Sequence, residues 1–208
     1  MTTTTRALGA YASDPVPSVE SILRVYREAT PEQIAEGVDW YSRTHTAARA
    51  LDADNVQRAA GILAALSPQC PWSRNLDLAN RVYAEGFASG TLGNSCRAAD
   101  AIFNGADPLD VLRGPKVRAF FATILDPTDP HAVVIDRHAF AIAIGRTADD
   151  KDLKVLARKG GYERFAQAYR DAASVLGVAP STVQAVTWVV WRQTRIRCAA
   201  AVRRGIYG

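Results

Sequence analysis

Two residues twenty positions apart carry the clearest chemistry: Lys116 in "RGPKVRAFF" and Asp136 in "AVVIDRHAF". Asp136 follows an apolar Val-Val-Ile run and stands at a helix start. A carboxylate there can deprotonate a water or balance a neighbouring positive charge, and the aligned amides of a helix start favour its negative charge. The same position suits a plain N-cap, for which Asp is a favoured residue. The Lys116 amine is a nucleophile where burial shifts it towards its neutral form; otherwise it is a solvated or phosphate-contacting cation. Gly114 and its neighbours would present backbone N–H groups to a phosphate. Arg113, Arg118 and Arg137 would supply charge nearby, although any single arginine is also an ordinary solvated surface group.

The elements that must hold these residues are helical. Alanine is frequent and β-branched runs are rare, a balance that favours helix over strand. Val19, Ile22, Leu23, Val25 and Tyr26 form a helical stripe opened by Ser18 as N-cap, with Glu20 in the first turn. Thr30 followed by Pro31 opens a second helix, with a break expected near Gly37. From Ala59 to Leu66 the chain is apolar nearly all round, which marks a central buried helix ending at Ser67-Pro68. "SRNLDLANRVYAEG" is a helix ended by Gly86, and "SCRAADAIFNG" is one ended by Gly105. "DPLDVL", the turn at Arg113-Gly114 and "PKVRAFFATIL" with Pro115 at N1 read as helix, tight turn, helix. "DPTDPHAVV" is a loop, "IDRHAFAIAIG" starts a helix, Tyr162 to Leu176 forms another, and "APSTVQAVTWVVWRQTR" is the last. Trp188 and Trp191, at i and i+3 on that helix, read as a core stripe. The sum is nine or ten short helices in an all-α domain over residues 18–208, preceded by a loose Thr-rich arm over residues 1–17.

Composition bounds the rest. The chain has 208 residues, of which 48% are apolar, enough for a substantial core. The formal net charge of +4 is mildly basic and proves no polyanion partner alone. Its distribution says more: Arg192, Arg195, Arg197, Arg203 and Arg204 cluster at the C-terminal end with no acid among them. Cys70, Cys96 and Cys198 form no paired motif and read as free thiols in a reducing compartment. The N-terminal stretch has no signal-peptide apolar region, and no apolar run is long enough to span a bilayer. The expectation is a cytoplasmic monomer that does not engage a membrane.

Three segments, in order, resemble the helix-hairpin-helix (endonuclease III-like) DNA glycosylase superfamily. "ILAALSPQ" followed by Asn75 resembles its "LLSAQ…N" segment; "DVLRGPKVRAF" resembles its hairpin, usually "LPGVGRKTA"; "AVVIDRHAFAIA" resembles its "AVDTHVFRV". The likeness covers roughly residues 59–143, with the hairpin at about 108–125. The hairpin here is two residues shorter and has one Gly instead of two. The resemblance implies a compact, two-lobed helical fold with the active cleft between the lobes, acting on double-stranded DNA. The four cysteines that hold an iron–sulfur cluster in one branch are missing, so no metal or other cofactor is implied.

Residue by residue, the resemblance implies that Asp136 is catalytic, supporting the cationic sugar formed as an N-glycosidic bond breaks or activating water. It makes Lys116 the counterpart of the lysine with which bifunctional members attack the sugar and gain lyase activity. An alternative alignment on an earlier "GxxxxKA" segment would remove that role. Gln69 matches the residue that fills the hole left by an extruded base. Trp72 and Asn75 lie where a base pocket would be, and Trp40, beside Tyr41, Arg43 and His45, could form its wall; core packing is the plain alternative for each tryptophan. His138 reads as structural. The implied activity is base flipping and excision, either in repair or against modified phage DNA such as that carrying glucosylated hydroxymethylcytosine. Three rivals remain: a glycosylase-like phage enzyme that modifies pyrimidines without releasing them, a non-enzymatic helical DNA-binding protein, and an all-helical domain whose hairpin resemblance is chance.

Overall fold

The computed structural model describes residues 14–203, with side chains as far as Ile196. Its described residues form eleven α-helices and one short 3-10 turn, with no strand among them. In chain order the helices are α1 (Val19–Arg27), α2 (Pro31–Leu51), α3 (Val56–Leu66), α4 (Trp72–Glu85), α5 (Gly93–Phe103), α6 (Pro108–Val111), α7 (Pro115–Leu125), α8 (Arg137–Ala143), α9 (Asp150–Leu153), α10 (Gly161–Leu176) and α11 (Pro180–Arg203). The 3-10 turn, Lys154–Ala157, follows α9.

Local chemistry sets most boundaries. The Ser18 hydroxyl caps α1, and Thr30 with Gln33 forms a reciprocal capping box on α2. Gly86 and Gly177 end α4 and α10 in the left-handed conformation that glycine adopts without a Cβ clash. α9 and the 3-10 turn have no counterpart in the sequence reading. They are held by a polar network: Asp149 caps α9, and Arg146 reaches both carboxylate oxygens of Asp152 at 2.6 and 2.8 Å. The arm expected over residues 1–17 falls largely outside the described residues, but Asp14 pairs with Arg158 and Ser18 N donates to Ala143 O at 2.8 Å.

The break expected at Gly37 does not occur; α2 runs unbroken through it. A Cβ at Gly37 would lie 2.6 Å from the Val186 backbone, so glycine is needed for α2 and α11 to cross closely, not to interrupt α2. Gln33 donates to Gln193 at 2.8 Å and Tyr41 donates to Gln184 at 2.7 Å across the same crossing.

The core divides into two clusters. One gathers α1, α8, α10 and α11 with Val133 and Ile135, around Phe140, Phe165 and Tyr169. The other surrounds α3, whose residues from Ala59 to Leu66 are all buried, and takes in α4, α5 and α7. A small third cluster of Tyr41, Val134 and Ala185, flanked by Trp40 and Phe120, lies on the elements that join them. No single helix among the described residues is long and apolar enough to cross a membrane.

Candidate functional site

A cavity of about 390 Å³ gathers residues from α2, α4, α7, α8, α11 and two connecting segments. α2 supplies Trp40 and Tyr41; the α3–α4 turn and α4 supply Ser67, Cys70, Pro71, Trp72 and Asn75. α7 brings Lys116 and Phe120, the segment before α8 brings Val134 and Asp136, and α8 brings His138. The remaining wall is α11, with Gln184, Ala185, Trp188 and Arg192. The volume is that of an ordinary small-molecule pocket.

Five aromatic side chains, Trp40, Tyr41, Trp72, Phe120 and Trp188, line it. Trp40 stands 5.3 Å from Trp188 and 6.2 Å from Trp72, centroid to centroid, and Trp72 meets Phe120 edge-on at 6.5 Å. None of these pairs is a flat sandwich. The Arg192 guanidinium lies over the Trp188 ring, 4.4 Å from its centroid.

Asp136 is the N-cap of α8: one carboxylate oxygen accepts from Ala139 N at 2.8 Å. The other accepts from the Trp188 indole N–H at 3.1 Å. Two donors from two helices therefore fix the carboxylate against the cavity, and each oxygen keeps a lone pair for a further donor. The capping and cavity-lining readings of Asp136 are thus compatible. His138, the second residue of α8, also lines the cavity, which the structural reading of it overlooked. Burial pushes its pKa down; Asp136 opposes this, while Arg192, Arg195 and Arg137 reinforce it. Tyr41, a buried residue of the cavity wall, has its phenol held well above its ordinary value by burial and then by the negative charge of Asp136.

Asn75 is 1% exposed. Its amide N–H donates to Leu63 O at 3.0 Å, and its Oδ1 has no donor. Gln184 accepts from Tyr41 OH through Oε1.

Lys116 lines the cavity but is exposed, so it lacks the burial a nucleophilic lysine requires. Arg113 and Gly114 are exposed in the α6–α7 turn. Gly114 has φ of +82°, and no side chain caps the start of α7, which leaves first-turn amides open. The Arg118 guanidinium is committed to Leu112 O at 3.0 Å and Leu109 O at 2.7 Å, which ties α6 to α7. Arg137 pairs with Asp150 at 2.6 Å and does not line the cavity. Gln69 is exposed and has φ of +56°, the only non-glycine in that region among the described residues. It lines an adjoining cavity of about 500 Å³ with Pro68, Arg74 and Gly90, and the two cavities share Cys70 and Pro71. His45 binds Ile124 O at 2.9 Å through Nδ1 and lies away from the cavity. The side chains of Arg197, Cys198, Arg203 and Arg204 lie outside the described residues.

The reading of Trp188 as a core residue is corrected: it stands at the cavity and holds Asp136, whereas Trp191 does pack on the first core cluster. The missed signal was Gln184, Trp188 and Arg192, which recur at four-residue spacing along one face of α11. No group of three or more ligating side chains suited to a metal ion occurs among the described residues.

Fold and site together define an all-helical protein with an aromatic, carboxylate-bearing cavity. The chain belongs to a family of unknown function (DUF7178), whose model matches residues 9–195. No curated protein and no solved structure matches it.

Proposed function

We propose that this protein is a DNA glycosylase: it draws one base out of duplex DNA into the aromatic cavity and releases it by cutting its N-glycosidic bond. The observation that carries the proposal is the meeting of Asp136 with Trp40, Trp72 and Trp188 around one base-sized space. A flipped base stacks on such rings. Its deoxyribose would then sit by Asp136, where positive charge develops on the sugar as the C1′–N bond lengthens. The carboxylate balances that charge or takes a proton from the attacking water, and the base leaves with the bonding electron pair.

The α6–α7 turn fits a phosphate contact: it carries open amides at the start of α7 and the exposed cations Arg113 and Lys116, and Lys116 lines the cavity. Lys116, exposed at the rim, is assigned to phosphate, and water is the nucleophile. Extrusion costs a few kcal/mol, least for weakly paired bases, so a modified or mismatched base is the expected substrate.

The test is incubation with genomic DNA from several phages and hosts, followed by mass spectrometry of the released bases. The proposal expects one base to appear with the parent protein and not with Asp136→Asn. A new adduct on DNA without base release would instead identify a modifying enzyme on the same scaffold. DNA binding with neither product would leave a binding protein in which Asp136 is a cap alone.

A further inference from the structure

We infer that the carbonyl oxygen of Asn75 reads the base, and that the ligand of the cavity is a planar heterocycle presenting an N–H donor to it. This rests on the cavity being a base pocket. The orientation of the Asn75 amide is fixed by its neighbour: Leu63 O can only accept, so the Asn75 nitrogen must face it, at 3.0 Å. That bond has a local reason. Ser67 N turns to Ala64 O at the end of α3, which leaves the Leu63 carbonyl needing another donor. The oxygen of Asn75 is the half of the amide this arrangement does not use.

An unpaired oxygen in a side chain only 1% exposed is costly, and buried acceptors are nearly always satisfied. Trp191 Nε1 is the other such described atom, but Trp191 packs on the first core cluster and does not line the cavity. Asn75 does line it, beside Trp72 one turn earlier on α4. A ring stacked on these tryptophans with an N–H directed at Asn75 relieves the unpaired oxygen. Across the cavity, Gln184 has its carbonyl taken by Tyr41, so its amide N–H₂ is left to face a ring nitrogen or carbonyl. A site of this kind rejects an analogue that lacks the donor far more strongly than one that differs by a methylene.

The probes are two short duplexes with one central nucleotide opposite an abasic site, which makes extrusion easy. One carries deoxycytidine; the other carries its 4-deamino analogue, the 2-pyrimidinone deoxyriboside, which keeps the ring but has no N–H. Fluorescence anisotropy reports binding, and quenching of tryptophan emission reports filling of the cavity. The deoxycytidine duplex is expected to quench at a concentration about ten-fold or more below that of its analogue, and Asn75→Leu is expected to abolish this preference. Equal quenching by both duplexes, or a preference that survives Asn75→Leu, overturns the assignment while leaving the base pocket standing. If Asn75→Leu does not fold, the two duplexes with the parent protein decide alone. Binding of both without any quenching removes the base-pocket reading itself, and this inference with it.

Discussion

The floor of the cavity and the turn at its mouth are built in opposite ways. On the floor, polar side chains are anchored: Asp136 by Ala139 and Trp188, Asn75 by Leu63, and Gln184 by Tyr41. In the α6–α7 turn, Arg113, Gly114 and Lys116 are exposed, Lys116 lines the cavity, and Arg118 holds only its own turn. An anchored floor can place charge before a substrate arrives, which is what transition-state stabilisation needs. An open mouth of cations and free amides instead suits a large, charged backbone whose contacts position and do not discriminate. On the proposed function, chemistry and selectivity would belong to the floor, and affinity and salt dependence to the turn.

Asp136→Asn attacks the floor most directly. It keeps an oxygen to cap α8, and it should lower base release by a factor on the order of 10²–10⁴ with little loss of DNA affinity. Single-turnover release measured beside anisotropy separates the two; a variant as active as the parent would undo the division.

Next is Trp188→Phe, which keeps a smaller ring in the wall and removes the indole N–H that holds Asp136, along with part of the surface that Arg192 covers and Trp40 packs against. Loss of one hydrogen bond to a charged group should slow release by about ten-fold. Binding of the duplex should change little.

At the mouth, Arg113→Gln with Lys116→Gln should weaken DNA binding and flatten the plot of log affinity against log salt by roughly one unit for each phosphate that is no longer neutralised. An unchanged slope would take the turn out of the interface.

The smallest effect concerns stability. His138 has a folded pKa below its ordinary value, because burial, and then Arg192, Arg195 and Arg137, outweigh the attraction of Asp136. The unfolded chain then binds the proton more readily. Stability should be full above the unfolded value of about 6.5 and fall as pH drops below it. Urea midpoints at neutral and mildly acidic pH should show this loss, and His138→Gln should reduce it.

Much of this architecture was legible locally. Ser18, Thr30-Pro31, Pro115, Gly86 and Gly177 mark helix ends by chemistry that acts within a few residues, and the structure has helix ends at each. The apolar run of α3 declares its own burial. Five residues of the cavity, Trp40, Trp72, Asn75, Lys116 and Asp136, could be singled out from motif order before their neighbours in space were known. What escaped depends on distant partners. Gly37 reads as a flaw in α2 until Val186 is placed against it. Trp188 reads as core until Asp136, fifty-two positions away, is found on its indole nitrogen. Arg137 looks free until Asp150 is brought beside it, and α9 has no apolar period to reveal it.

The claim on which all else depends is that an extruded base fills the space among Trp40, Trp72 and Trp188, with its sugar beside residue 136. A crystal structure of Asp136→Asn bound to a duplex with one weakly paired nucleotide tests this in a single observation. The account predicts the base between those rings, its C1′ within contact of Asn at position 136, and the flanking phosphate at the start of α7. A duplex lying elsewhere on the surface, with every base stacked and the cavity holding only solvent, would contradict it.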